Sequence, residues 1–204
     1  MTRQFYIFKC STPSDGVVIP GVSTKALTSI KSYHFSEGIP LLQRLTDANE
    51  LPLTLDYSPL FDDRNVLYDF VDNSGRLIIL SPKARAVLET VGITNIEYLP
   101  AKIFDQNGRE VTDTYFVANV LGTEPFIDVE KSDLVSSAII KHEFSDVDNL
   151  VVDYDRINPD ARLFRIHRMP TKYVVDQVVV DAFKAAGLIG YGLWKADGWR
   201  GTYV

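Results

Sequence analysis

Two segments of this sequence follow one plan, and that plan limits what the chain can fold into. Leu77-Ile78-Ile79-Leu80 is an unbroken apolar run, the pattern of a strand buried on both faces. Ser81 can then cap a helix whose first position is Pro82, where the missing N–H costs nothing. Ala84, Val87, Leu88 and Val91 recur at helical spacing, and Gly92 supplies the left-handed cap. The succession returns later in the chain. Tyr173-Val174-Val175 is an apolar strand, Asp176 can cap, and Val179, Ala182, Phe183 and Ala186 form the stripe. Gly187 closes that helix and Leu188–Trp194 reads as a strand. With Gly92 set on Gly187, Ser81 falls on Asp176, Leu88 on Phe183 and Ile93 on Leu188. Residues 77–99 and 172–194 thus read as two copies of a strand–helix–strand unit. Any short amphipathic helix closed by glycine would also align this way.

The remaining pattern is strand-rich. Gln4–Lys9 alternates as a strand does, and residues 11–38 read as loops with a short strand around Val17-Val18-Ile19. Ile39–Leu45 suits one or two helical turns, and Leu51–Leu55 a short strand. Strands at Asn95–Phe104 and Tyr115–Leu121 are joined through Gln106-Asn107-Gly108, a turn that tolerates positive φ. Leu150-Val151-Val152 and Leu163–Ile166 are further strand candidates. The expected fold is α+β: a mixed, mostly antiparallel sheet with a few short helices. At 204 residues, with eleven Phe, ten Tyr and two Trp, the chain can bury a core as one domain, residues 1–64 being its less regular part.

Several functions lack their residues. Cys10 is the single cysteine, so no internal disulfide forms and a reducing compartment is expected. The N-terminus reaches Lys9 after only four apolar residues, and no run approaches the roughly 20 apolar residues of a membrane span. The expected location is the cytoplasm. A net charge of −6 with scattered Lys and Arg argues against nucleic acid as partner. His34, His142 and His167 have no neighbours at metal-ligand spacing, and no nucleophile elbow occurs. The glycines of Gly187–Gly192 follow a helix where a dinucleotide loop would open one. No catalytic residue, cofactor or metal is expected.

Two features suggest a binding surface. Asp146, Asp148, Asp153 and Asp155 lie in one acidic stretch, which is either a solvated loop-rich surface or a face that meets a basic partner. Asp153 with Asp155, and Asp128 with Glu130, have the spacing of one strand face. Near the C-terminus, Trp199, Arg200 and Tyr203 are residue types enriched at binding hot spots, although the aromatics would equally tuck a tail onto the core.

The landmarks Leu77–Ser81, Gly92–Pro100, Tyr115–Val120, Asp128 with Ser132, Leu163–Ile166 and the closing Gly187-Leu188 with Gly190-Tyr191 resemble the bacterial polymorphic-toxin immunity proteins of family eleven, over residues 65–194. The resemblance implies a cytoplasmic protein encoded beside a toxin, which it binds and neutralises without enzymatic activity or cofactor. It supplies no toxin-contact residues. The rivals are a small-molecule-processing enzyme with a diffuse carboxylate site and a self-associating structural subunit.

Overall fold

The computed structural model describes residues 3–23 and 29–203, so residues 24–28 of the expected loop stretch lie outside it. The chain forms β1 (Phe5–Cys10), β2 (Val18–Ile19), β3 (Leu53–Asp56), β4 (Phe70–Asn73), β5 (Ile78–Leu80), α1 (Pro82–Thr90), β6 (Ile96–Phe104) and β7 (Glu110–Val120). There follow β8 (Thr123–Glu124), β9 (Asp133–Ser136), β10 (Phe144–Asn149), β11 (Leu163–Ile166), β12 (Met169–Asp176), α2 (Gln177–Ala185) and β13 (Tyr191–Lys195). The α+β class holds, but with more sheet than expected and only two α-helices among the described residues.

One mixed sheet was expected; the strands instead divide among three. A six-stranded sheet runs β2-β4-β5-β7-β6-β3 and a five-stranded one β13-β1-β12-β11-β8, while β9 and β10 form a separate hairpin. The six-stranded sheet curls until its edges meet. Val22, just past β2, bridges Leu55 of β3, and the Ser23 N–H donates to the Thr54 carbonyl at 2.9 Å. Alternation then sorts the side chains of this nearly closed barrel. Val71, Leu77, Ile79, Val117, Leu99 and Leu53 fill the inside. Phe70, Ile78, Leu80 and Ala118 point outwards into a second core with α1, α2 and one face of the five-stranded sheet. The apolar run Leu77–Leu80 is therefore explained: every one of its residues is buried, alternately on each side of the barrel wall.

The two strand–helix–strand segments form the same split unit. β5 and β6 both pair antiparallel with β7, which lies between them; β12 and β13 both pair antiparallel with β1. Each helix thus connects two parallel strands separated by an inserted neighbour. The caps match as the sequence alignment requires. The Ser81 hydroxyl accepts from the Ala84 N–H at 3.2 Å, and the Asp176 carboxylate from the Val179 N–H at 3.1 Å. Past the helices, Ile93 N–H donates to Leu88 and Leu188 N–H to Phe183. One unit lies in each large sheet, and the helices pack together between them.

Besides the shared core, two polar contacts stand out where the barrel meets the five-stranded sheet. The first is the crossing at Gly190, whose carbonyl accepts from the Ser11 N–H while the preceding Ile189 carbonyl accepts from the Phe70 N–H at 3.0 Å. Gly190 has φ +101°, and a Cβ there would stand 2.0 Å from the Phe70 carbonyl oxygen. The second is Arg165 of β11, which is 1% exposed. Its guanidinium donates to the carbonyls of Val120, Pro170 and Phe35, each at 2.7 Å, and lies 4.7 Å over the Tyr173 ring. Burial pulls its pKa down, yet the three carbonyls replace the water it has lost.

The far face of the five-stranded sheet packs Phe5, Ile7, Phe164 and Ile166 against Phe126, Leu150, Val152 and Trp199. Leu150–Val152 is not a strand as expected: only Val152 pairs, in a single bridge to Ile127. Its backbone groups go elsewhere, the Val152 N–H to the Asp197 carboxylate and the Leu150 N–H to the Trp199 carbonyl.

Gly190→Ala meets both an unfavourable φ and a backbone clash, so it should destabilise by about 2–4 kcal/mol in urea unfolding. Gly108→Ala, at φ +74° but with nothing within 4 Å, should cost only about 1 kcal/mol. Arg165→Met should remove about 3–5 kcal/mol by stranding three buried carbonyls.

Candidate partner-binding surfaces

The hairpin β9–β10 owes its exposure to its sequence. In β10 only Val147 is buried, while Ser145, Asp146 and Asp148 face solvent; in β9 Asp133, Val135 and Ser136 do the same. Its inner side rests on the sheet through Val147, Leu134 and Phe144. The connection, residues 137–143, is held by a local turn. The Ser137 hydroxyl accepts from the Ile139 and Ile140 N–H groups at 3.2 and 3.0 Å. The Ser137 N–H donates to the Glu143 carbonyl at 2.9 Å. This ordered tip presents Ile139 at 94% exposure, with Ile140 beside it half in water. Ile139 and Ile140 together put two adjacent apolar side chains into water.

Behind the tip lies an open cleft of about 710 Å³, with Tyr33, Ile140, Lys141, His142, His167 and Arg168 among its walls. Two of these residues, His142 (φ 70°) and Arg168 (φ 68°), hold left-handed backbone without being glycine. They support each other: Arg168 Nε donates to the His142 carbonyl, and its guanidinium lies 4.0 Å over the Phe144 ring. The tip is thereby braced against the β11–β12 turn.

The sequence candidates fall in three places. Asp146 and Asp148 stand on the outer side of β10. Asp153 and Asp155 lie on the irregular turn that follows, not on a strand face. Asp128 likewise sits in a turn, where its carboxylate accepts from the Glu130 and Lys131 N–H groups and pairs with Lys131 Nζ at 2.7 Å. These bonds pull its pKa down, the Lys131 side chain contributing most. Trp199 is 5% exposed and belongs to the core, its indole N–H donating to the Thr202 carbonyl at 2.8 Å. Arg200 is exposed, and Tyr203 stacks edge-on with Trp194 at 4.9 Å while keeping part of its ring in water.

Sequence reasoning missed the tip and the cleft. Ile139-Ile140 within a polar stretch was the available signal, and a residue pair that short carries no period. The reactive groups are subdued. Cys10 is fully buried, and desolvation raises its thiol to about 12. His34 Nδ1 accepts from the Lys31 N–H at 3.0 Å. Among the described residues no three His, Cys, Asp or Glu side chains gather as a metal site, and no helix is long and apolar enough to cross a membrane.

Fold and surface define a sheet-rich α+β protein with an exposed apolar hairpin tip, the second strand of which bears Asp146 and Asp148. The family model for the immunity protein family Imm11 matches residues 5–198, so the chain belongs to that family. The match begins at β1 and takes in the N-terminal third, which the sequence resemblance had left out. No curated protein matches the chain significantly.

Cys10 holds its proton more tightly folded than unfolded, 9.0 rising to about 12, and burial also lifts Tyr98 and Tyr115 from 10.0 to about 12. Their contribution is complete below pH 9 and is lost as pH climbs towards 12. The urea midpoint should therefore fall between pH 8 and pH 11, and Cys10→Ala should flatten part of that fall. Native protein should leave Cys10 unreactive to a thiol reagent until urea is added.

Proposed function

We propose that the chain neutralises a cognate bacterial effector toxin in the cytoplasm by binding it through the hairpin β9–β10. The observation that carries this reading is Ile139, held 94% exposed at the tip of a hairpin whose outer side bears Asp146 and Asp148. Membership of an immunity protein family supplies the class of partner. An apolar anchor rimmed by acids suits a partner with a hydrophobic pocket beside a basic surface, such as the substrate groove of a nuclease. The exposed Asp155 and Arg200, with Asp153, enter this reading as rim contacts, where charge steers encounter more than it holds the complex. Tyr203 offers its exposed edge. No cofactor or metal enters this reading.

The test is co-expression with the toxin domain encoded by the adjacent gene, together with affinity capture. Rescue of growth and a stable complex are expected. Ile139→Glu should raise the dissociation rate, weakening binding by roughly 10²-fold as hot-spot losses do. Reversal of Asp146 and Asp148 to Lys should slow association several-fold and flatten its salt dependence. Rescue and kinetics untouched by all three changes would remove the hairpin from the interface. A toxic domain that is neither captured nor neutralised would sink the reading itself.

A further inference from the structure

On the other side of Asp146, the edges of barrel and sheet enclose a second recess of about 260 Å³. Its floor is Cys10, Leu77 and Ile78, and three cations stand around it: Lys9 from β1, Arg76 from the β4–β5 turn and Lys172 from β12. Among the described residues none of the three has a carboxylate within ion-pair distance. In a chain of net charge −6, three such cations facing one hollow are the reverse of what surface averaging gives.

Ring contacts hold the two lysines there, and the turn fixes the backbone of Arg76. Lys172 Nζ lies 5.1 Å over the Trp199 ring and 5.0 Å over that of Tyr203, and donates to the Tyr203 hydroxyl at 3.1 Å. Lys9 Nζ lies 5.1 Å over the same Tyr203 ring. Arg76 occupies a left-handed backbone position, φ 56°, that glycine or asparagine would take with less strain. Its carbonyl is fixed by the Tyr173 hydroxyl at 3.3 Å. Asn73 is spent on the turn, bonding Val71 and Leu77. Ser74 and Thr171 also line the recess.

Charge selects the ligand. Asp146 is the acid whose field reaches both Lys172 and Tyr203, and Asp72 acts on Cys10 at the floor, so three cations against two carboxylates still leave an excess of positive charge. We propose that this recess binds a small phosphate monoester, its dianionic phosphate set among Lys9, Arg76 and Lys172 and its organic part against Tyr203. Arg76 offers a planar fork to two phosphate oxygens, and the lysines act as point charges. The aromatic wall and the volume suit a compact organic group better than a bare ion. The proposal stands independently of toxin binding.

Titration calorimetry of the full chain at low ionic strength would use phenyl phosphate, inorganic phosphate and benzoate as probes. Phenyl phosphate should bind most tightly. Arg76→Gly should weaken it roughly tenfold, the loss of one charge-assisted contact, without lowering the melting temperature, because glycine relieves the strain. Asp146→Asn should tighten it by removing an opposing charge. The proposal is overturned by no saturable heat with phenyl phosphate up to on the order of 10 mM. Binding that Arg76→Gly leaves unchanged, or benzoate bound as tightly, would overturn it equally.

Discussion

Arg165 is the interaction on which the arrangement of barrel and sheet depends. A buried guanidinium without a carboxylate is costly unless every N–H finds an acceptor. Here the acceptors are chain carbonyls drawn from three separate places: the end of β7, the 3₁₀ turn at Phe35 and the start of β12. The charge can be satisfied only when all three have arrived, so it couples the assembly of elements far apart in sequence. The coupling spreads through Asn119, whose side chain accepts from Arg165 and donates to the Ile39 carbonyl and the Glu97 carboxylate. Glu97 in turn takes the Leu41 N–H at 2.6 Å. An irregular segment with no strand of its own is thereby pinned across the barrel mouth. Gly38 belongs to the same knot: its φ is +67°, and a Cβ there would stand only 3.1 Å from Arg165 Cδ and from the Gly122 carbonyl oxygen.

Around that knot the two split strand–helix–strand units settle the rest. Each uses a Ser or Asp cap and a Gly-closed helix to return the chain in parallel, leaving a slot for one antiparallel strand. The slot in the barrel is filled by β7 and that in the open sheet by β1. The helices then bury Leu88 and Phe183 between the sheets, with Phe8 and Tyr191 packed edge-to-face and Phe70 tilted around Phe183 at 5.2–6.0 Å. Such pairs add about 0.5–1.5 kcal/mol each beyond their buried area. Everything the units bury lies inward, so the hairpin is left as an appendage on the outer face.

How much of this was legible follows from where the signal was strong. Leu77–Leu80, the capped helices and the Gly cap positions carry local chemistry that fixes local structure, and all three lie where expected. The closure of the barrel was not legible, because it rests on Val22 meeting Leu55, a pairing with no trace in either segment alone. β4 was missed because Asp69, Asp72 and Asn73 break its apolar pattern, yet each answers a specific donor: Asp69 takes the Ser81 hydroxyl and the Ile189 N–H. β10 was hidden in the acidic stretch because its outer side has no core to face. Composition also averaged away the three cations of the recess, which come from residues 9, 76 and 172 and meet only in the fold.

The hairpin tip shows why order at an exposed site is informative. Burial cannot account for the conformation of residues 137–143, since Ile139 has almost none. The turn is held instead by Ser137, by the backbone link to Glu143 and by Arg168 against Phe144 and His142. Fixing a loop this way costs conformational entropy in the free protein, about 1–2 kcal/mol per residue, that hydrogen bonds to the turn only partly offset. A partner that docks on a tip already ordered does not bear that cost on binding, and the saving appears as affinity. The left-handed backbone of His142 and Arg168 belongs to the same account: strain is kept on the free chain at the place where a contact would draw on it. The acids of β10 act at longer range and the tip at contact, so an encounter begun by charge would end on an anchor already in position.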